Sequence, residues 1–433
     1  MAGTAVSTDG RRRNRGEDAR EAARLVRASW AFTTRRVHDR DFGLLRDSVT
    51  PRAGDLLLAR VDAIGHHAAL QLPSGRRRFL FVGDEIVVAY GNRYAPNQFE
   101  AVVPKTLGPC QLVAGGGVAG KALSWHTRVT RGPTQITPIG LLATPDGEVA
   151  NLRSFAVPAL DVVPASHPIA LAVAGTAMDS GKTQTCAHLV RGLKEAGLKV
   201  GYAKITGTGS GGDTWLLRDA GARPVLDFTD AGYASTYMVP PDEVERVLVT
   251  LVGHLAGARV EAIVLEIADG VLQAETAALL VSPSFRRIVG GILFAASDAM
   301  GAAAGEAWLR ERGLPVLALG GVLTAAPLQR EECLKATGIP VYSRQDLARP
   351  KTAVEILSLA ERMRPFADTA ATEAPAAEVA AAVEDALPVA AEAVVVVDGV
   401  AVVESGAVVA SDLAIAAAAE AYAEHTTRAE VSP

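Results

Sequence analysis

The stretch that decides the fold is Ile169-Ala-Leu-Ala-Val-Ala-Gly175-Thr-Ala-Met-Asp-Ser-Gly181-Lys182-Thr183, an apolar run followed by a glycine-containing polar loop. A short apolar run that ends at glycine predicts a buried strand leading into a tight turn. Apolar residues recur at helical spacing after Thr183, so the turn opens a helix. Glycines in such a turn let backbone amides approach an anion, and the positive end of the helix favours negative charge. The stretch therefore predicts a phosphate-binding loop (P-loop).

The side chains of this loop have predicted roles in binding a nucleotide. Lys182 would contact the β- and γ-phosphates, and the Thr183 hydroxyl would hold Mg²⁺. The alternative is a glycine turn with a solvated lysine. The predicted cofactor-binding residues are Gly175, Thr176, Asp179, Ser180, Gly181, Lys182, Thr183 and Gln184.

Charged side chains stand at the ends of two further predicted strands, where ligands bind in an open parallel sheet. Lys204 would neutralise a substrate anion or a transferring phosphoryl group, the alternative being a surface lysine. Glu266 would bind Mg²⁺ or polarise an attacking group, with Asp269 as second choice. The predicted catalytic residues are Lys182, Lys204 and Glu266, and the predicted metal ligands are Thr183, Glu266 and Asp213.

Strands and helices alternate from Pro168 to about Arg364, which predicts an α/β fold with a mostly parallel sheet and helices on both faces. Short strands bounded by glycine, proline and serine precede it and predict a small β-barrel-like domain, with a sandwich as the alternative. The predicted domains are a basic disordered start with a short helix from Glu17 to Trp30 over 1–50, the β-rich domain over 51–160, the P-loop domain over 165–365 and an Ala/Val-rich low-complexity tail over 366–433. Within the tail, two apolar runs over 394–403 joined by Asp398-Gly399 predict a hairpin. The predicted strands of the P-loop domain are 169–174, 199–204, 261–267, 290–295, 315–319 and 339–342.

Three segments of the β-rich region are candidates for function. The loop Gly91–Phe99 is polar and carries aromatic residues, so it either contacts a substrate through residues such as Arg93 or is a long connection tied down by its aromatic rings. The run from Gly115 to Gly120 has a Gly-x-Gly-x-x-Gly spacing, a weak dinucleotide signal that a glycine-rich connection also explains. The arginines at 76–78 are typical of a solvated turn, with nucleic-acid binding as the alternative.

Composition excludes several classes of protein. The formal net charge of −5 argues against a general nucleic-acid binder. The three cysteines lack the spacing of a zinc site or redox pair, which favours a reducing cytoplasm. No apolar run reaches the length of a membrane span. We therefore expect a cytoplasmic protein that does not bind membranes.

The elements quoted above resemble the dethiobiotin synthetase-like group of P-loop proteins. Gly175-Thr176-x-x-x-x-Gly181-Lys182-Thr183 is similar to the loop of that group, Lys204 falls on its second-strand lysine, and Glu266 falls on its Val-Glu-Gly strand end. The resemblance implies ATP, Mg²⁺, a carboxyl or carbamate group at the reacting centre, and a homodimer. The chain departs from the group because Glu266 lacks the adjacent glycine and the loop over 206–212 is different.

Two further families resemble the same region, roughly 168–345. Gly197-Leu-Lys-Val-Gly-Tyr-Ala-Lys204 and the helix from Asp213 to Ala222 are similar to segments of the GTP-binding adaptor of molybdopterin dinucleotide synthesis, although the His pair of that family is absent. Gly338-Ile-Pro-Val-Tyr342 is similar to the C-terminal end of a poorly characterised P-loop family with N-acyltransferase members.

The expected function is an ATP- and Mg²⁺-dependent enzyme of the ligase or phosphotransferase kind, which activates a small carboxylate-bearing metabolite by phosphoryl transfer. GTP is a possible replacement for ATP. The alternative is an ATP- or GTP-binding adaptor or switch that acts through a protein partner.

Overall fold

The chain forms short strands in its first part and alternating strands and helices in its second. The computed structural model describes residues 15–37, 42–46, 49–164, 166–363, 396–397 and 400–401. The elements of the first part are α1 (Arg15–Arg27), β1 (Ser29–Trp30), β2 (Gly43–Leu45), β3 (Leu56–Ala63), β4 (Ala69–Gln71), β5 (Arg77–Phe79), β6 (Glu85–Tyr90), β7 (Arg93–Tyr94), β8 (Phe99–Val102), β9 (Cys110–Ala114), β10 (Val118–Trp125) and β11 (Thr134–Ala143).

Nine of these strands form one sheet, in the order β1-β6-β3-β11-β9-β10-β8-β7 with β2 paired to β11. A further pairing joins β6 to β10, so hydrogen bonds run in a circuit through β6, β3, β11, β9 and β10. Strands β4 and β5 form a separate antiparallel pair. The inward positions are aliphatic, as the fully buried Leu57, Val88 and Leu112 illustrate.

The second part begins with the strand that the sequence identified. Its elements are β12 (Ile169–Gly175), α2 (Lys182–Glu195), β13 (Val200–Lys204), α3 (Gly211–Ala220), β14 (Val225–Asp227), α4 (Pro241–Gly257), β15 (Ala262–Glu266), α5 (Ala274–Val281), α6 (Pro283–Ile288), β16 (Val289–Ala295), α7 (Ala299–Glu311), β17 (Val316–Gly320), α8 (Pro327–Thr337), α9 (Arg344–Leu347) and α10 (Pro350–Met363). Short 3₁₀ helices lie at Phe32–Thr34, Leu152–Phe155 and Val322–Ala325.

Six parallel strands form the second sheet, in the order β14-β13-β15-β12-β16-β17. Strand β12 is buried along its whole length, which explains its unbroken apolar sequence. One face packs on α2, α3 and α10 through residues such as Leu189, Leu217 and Ile356. The other face packs on the helices from α4 to α8. The predicted α/β architecture with a parallel sheet is therefore confirmed.

Some element predictions are wrong, each for a local reason. Residues 339–342 contribute only a bridge between Val341 and Leu319, because Pro340 has no amide to donate to a ladder. The sixth strand is instead β14, whose three residues are too few to show a period. The helix predicted from Glu17 to Trp30 ends at Arg27, and the last two of those residues pair with β6.

Other predictions fall partly or wholly outside the described residues. The predicted disordered start lies mostly in 1–14, and most of the tail lies beyond 363. Within the tail, β18 (Val396–Val397) and β19 (Val400–Ala401) pair antiparallel, as the predicted hairpin requires. The domain boundaries remain predictions. Among the helices of the described residues, none combines the length and apolarity that crossing a membrane needs.

The glycine run from Gly115 to Gly120 joins two strands and does not open a helix, so it lacks the context of a dinucleotide-binding loop. Its role is close packing. A Cβ on Gly116 would lie 2.0 Å from the carbonyl oxygen of Gly209, in the loop after β13. The turn between β9 and β10 therefore meets the P-loop region backbone to backbone.

We expect Gly116→Ala to lower the free energy of unfolding by about 1–3 kcal/mol or more, because a backbone segment has to move to admit the methyl group. Urea unfolding followed by circular dichroism measures the loss. Gly108→Ala is the matched control, since a Cβ on Gly108 would come no closer than 3.9 Å to another atom. Equal stability of the two variants would contradict the close approach.

Candidate functional site

The loop between β12 and α2 has the shape of an anion cradle. It leaves the sheet at Gly175 and enters α2 at Lys182. Gly181 caps that helix with a φ of 99°, a conformation that favours glycine. A Cβ on Gly175 would lie 2.5 Å from Ser180 Oγ and 2.6 Å from the Ala295 carbonyl oxygen. Glycine is therefore needed at both ends of the loop.

Lys182 is held inside the loop. Its side chain is buried, with 6% of the residue exposed, and its Nζ donates a hydrogen bond of 2.7 Å to the Ala177 carbonyl. Burial lowers the pKa of Lys182, and the Glu266 and Asp269 carboxylates partly oppose that change. The ammonium thus bonds to a neutral carbonyl, which a stronger anionic acceptor can replace.

Glu266 connects three elements at the end of β15. Its Oε1 accepts a hydrogen bond of 3.0 Å from Thr183 Oγ1, and its Oε2 accepts one of 2.8 Å from Tyr202 OH. Lys204 Nζ lies 3.3 Å from Oε1. Burial alone would raise the pKa of Glu266, but the attraction of Lys204 and these hydrogen bonds outweigh it and lower the pKa. The acid is therefore a carboxylate, placed beside the first turn of α2.

Lys204 joins the two acids predicted as metal ligands. Its Nζ forms an ion pair with Asp213 Oδ2, in the first turn of α3, as well as with Glu266. Burial opposes its charge, but the two carboxylates outweigh burial and raise the pKa of Lys204 above its ordinary value. Lys204 is a paired cation at the strand end and not a surface lysine.

Asp269 lies just beyond Glu266 in a left-handed conformation, with a φ of 65°. It is half-buried, and its removal from solvent raises its pKa to about 6, against the attraction of Lys182 and Lys204. The next residue, Gly270, approaches the loop so closely that a Cβ there would lie 2.2 Å from the Thr176 carbonyl oxygen. The end of β15 therefore borders the phosphate-binding loop directly.

The donor set of the loop fits a polyphosphate with Mg²⁺. Ser180 Oγ is buried and has no hydrogen-bond partner among the described residues. A hydroxyl left without a partner in a loop of amides suits a phosphate oxygen. Thr183 and Glu266 offer the oxygens that Mg²⁺ prefers. Within the part of the chain described, no group of three His, Cys, Asp or Glu side chains is arranged to hold a metal.

The polar loop Gly91–Phe99 reaches the same region. Asn97 Nδ2 donates a hydrogen bond of 2.7 Å to Asp179 Oδ2 in the phosphate-binding loop. Asn92 Nδ2 lies 3.4 Å from the Tyr237 carbonyl oxygen, and the rings of Tyr94 and Tyr237 are 5.6 Å apart. The loop thus faces the candidate site, as the substrate-contact interpretation of its sequence requires.

The predicted residues Thr183, Lys204, Asp213 and Glu266 come together in one connected cluster. Lys182 interacts with Glu266 and Lys204 electrostatically, without a direct bond to either. Their roles in catalysis and metal binding stay predictions. The carbonyl of Gln184 contacts His188 within α2 at 2.8 Å. Sequence reasoning missed Tyr202 and Asn97. Tyr202 precedes Lys204 by two residues and shares its strand face, which is a signal that could have found it.

Comparison with known proteins yields only distant likenesses. No protein-family model matches the chain, and no curated protein matches it. Among solved structures, the signal recognition particle receptor FtsY from Elizabethkingia anophelis is similar with a TM-score of 0.31 and 17% identity, covering 45% of this chain and 66% of that one. The signal recognition particle 54 kDa protein from Aeropyrum pernix K1 in complex with GDP is similar with a TM-score of 0.29 and 20% identity, covering 47% of this chain and 50% of that one.

A nucleotide-binding protein from Archaeoglobus fulgidus in complex with ADP gives a TM-score of 0.31 and 11% identity, covering 45% of this chain and 86% of that one. This chain thus matches between half and two thirds of the length of the two signal recognition particle proteins. At these values the likenesses transfer no residue role. They do not confirm the resemblance to the dethiobiotin synthetase-like group.

The pairing of Lys204 leads to a prediction on stability. We expect Lys204→Met to lower the free energy of unfolding by about 3–5 kcal/mol, because it leaves the buried Glu266 carboxylate without its cation. Urea unfolding measures the loss. Lys194→Met removes the exposed ion pair with Glu195, which solvent screens, and should leave the free energy of unfolding nearly unchanged. Similar losses in both variants would contradict the role assigned to Lys204.

The raised pKa of Asp269 leads to a prediction on pH dependence. A carboxyl whose folded pKa is near 6 stabilises the fold while protonated, and that stability is lost as pH rises through about 6. The side chain at this position in Asp269→Asn cannot ionise. We therefore expect the melting temperature of the variant, relative to that of the wild type, to be higher at pH 7.5 than at pH 4.5. Thermal unfolding at the two pH values measures the gain. A difference that stays constant with pH would refute the assignment.

Proposed function

We propose that this chain binds a nucleoside triphosphate with Mg²⁺ at the loop Gly175–Thr183 and hydrolyses it. The observation that carries the proposal is the hydrogen bond from Thr183 at the start of α2 to the buried Glu266 carboxylate. It sets a hydroxyl and an acid beside a glycine cradle that already contains the Lys182 ammonium. This combination suits a magnesium-bound polyphosphate.

The chain's own groups would act by position and charge. Backbone amides of the loop and Lys182 would bind the phosphates, while Lys204 would keep Glu266 ionised. Mg²⁺, when bound, supplies the positive charge that offsets charge developing on the phosphate oxygens. Phosphoryl transfer needs little beyond such positioning and electrostatics, so no side-chain nucleophile is required. Both ATP and GTP are candidates, because the loop contacts phosphates and not the base.

We further propose that the nucleotide state is passed to the β-rich region, as in an adaptor or switch. Support comes from the hydrogen bond between Asn97 and the Asp179 carboxylate of the phosphate-binding loop. A change at the loop on binding or hydrolysis would alter this contact. A protein partner at the β-rich region could then distinguish the two states.

A second candidate is the activation of a small carboxylate-bearing metabolite by phosphoryl transfer, as a ligase would perform it. Its support is Lys204, a buried cation at the strand end that could stabilise transferring charge. Phosphate release separates the candidates. Release stimulated by a small carboxylic acid supports the enzyme, whereas slow release that ignores such acids supports the switch.

We expect Lys182→Ala to lower the affinity for ATP or GTP by at least roughly 100-fold, because it removes a charge-assisted contact to two phosphates. Titration calorimetry with Mg²⁺ present measures the affinity. Lys199→Ala, just before β13, is the control and should bind as the wild type does. Unchanged affinity in Lys182→Ala would refute nucleotide binding at this loop.

A further inference from the structure

Arg93 is a buried cation that the site described so far does not use. It lies on β7, within the polar loop, and only 6% of the residue is exposed. Its Nη1 lies 3.0 Å from His67 Nε2, and its Nη2 donates a hydrogen bond of 2.6 Å to Gln98 Oε1. Its Nε is buried and has no hydrogen-bond partner among the described residues.

The partners of Arg93 leave its charge uncompensated. Gln98 is neutral, and burial lowers the pKa of His67 well below its ordinary value, so the imidazole is neutral as well. No carboxylate of the described residues forms an ion pair with the guanidinium. Burial lowers the pKa of Arg93 to about 10, with Asp269 opposing that change. A buried cation without a counter-ion destabilises the fold, and an anionic ligand would offset that cost.

Neighbours of Arg93 in the polar loop contact the region of the phosphate-binding loop. Asn92, one residue before it, lies against the Tyr237 carbonyl, and Asn97, four residues after it, bonds to Asp179. The Asp269 carboxylate interacts electrostatically with Arg93, Lys182 and Lys204. The polar loop that carries Arg93 therefore lies against the phosphate-binding loop, and Asp269 is the charged group that Arg93 and Lys182 share.

We infer that Arg93 binds the terminal phosphate of the nucleotide, as a cation that the β-rich region supplies to the phosphate-binding loop from the same chain. The inference rests on the proposed function and adds a specific role for a residue outside the P-loop region. Support comes from the unpartnered Nε of Arg93 and from the absence of an ion-pair partner among the described residues, in a loop whose Asn97 bonds to Asp179. An arginine supplied from outside the phosphate loop stabilises charge on the transferred group.

The competing role for Arg93 is purely structural. Its guanidinium lies 5.8 Å from the Phe99 ring and ties Gln98 to His67, so it could hold the polar loop in place. The two roles differ in what a neutral replacement does. A structural anchor affects stability and every ligand alike, whereas a ligand for the terminal phosphate affects the triphosphate alone.

The test compares a non-hydrolysable triphosphate analogue with the corresponding diphosphate, each with Mg²⁺, by titration calorimetry on the full chain. Both nucleotides carry the same nucleobase, adenine or guanine, whichever the wild type binds more tightly. For Arg93→Gln we expect the triphosphate affinity to fall about 10- to 100-fold and the diphosphate affinity to change less than about 2-fold. Arg93→Lys should retain part of the preference. Arg60→Gln, at an exposed arginine, is the control and should change neither.

Thermal unfolding without nucleotide gives an independent readout. We expect the melting temperature of Arg93→Gln to equal or exceed that of the wild type, because an uncompensated buried charge is removed. Equal losses for both nucleotides, an unchanged triphosphate preference, or a failure of both Arg93 variants to fold would overturn the inference. Lys182→Ala in the same titration separates the two proposals, because its failure to weaken binding would refute the proposed function itself.

Discussion

The buried carboxylate of Glu266 is the constraint on which the site depends. Only 1% of this residue is exposed, so its charge must be met by donors and a cation. Thr183, Tyr202 and Lys204 meet it, and they come from α2 and β13. These contacts therefore fix the start of α2 and the end of β13 relative to the acid at the end of β15. The same contacts hold the Thr183 hydroxyl against the acid in the first turn of α2, directly after the phosphate-binding loop.

Much of this arrangement could be predicted from the sequence, because it follows from local pattern and from the geometry of parallel sheets. The apolar run before Gly175 predicted a buried strand, and β12 is buried along its whole length. Lys204 and Glu266 end neighbouring parallel strands and are paired in the ladder. Their proximity could be predicted because the carboxyl ends of parallel strands lie at the same edge of a sheet. The hydrogen bond of Tyr202 and the identity of the sixth strand depend on contacts between distant segments, which a local pattern does not contain.

In the β-rich region, too, the local sequence pattern does not show which distant segments are in contact. The sequence of the loop Gly91–Phe99 was compatible with a substrate contact or a tied-down connection, and only the tertiary structure shows Asn97 against Asp179. The Gly-x-Gly-x-x-Gly spacing from Gly115 is explained by the close approach of Gly116 to Gly209. Such an approach selects glycine as strongly as a bound phosphate does, so the spacing alone could not distinguish them.

Binding of nucleotide phosphates by the loop Gly175–Thr183 through Lys182 is best tested by a crystal structure of the chain with Mg²⁺ and a non-hydrolysable triphosphate. We expect the phosphates to lie in the loop, with Lys182 Nζ bonded to phosphate oxygens and no longer to the Ala177 carbonyl. A nucleotide bound elsewhere, or a loop without phosphate at saturating nucleotide in which Lys182 keeps its bond to Ala177, would contradict it.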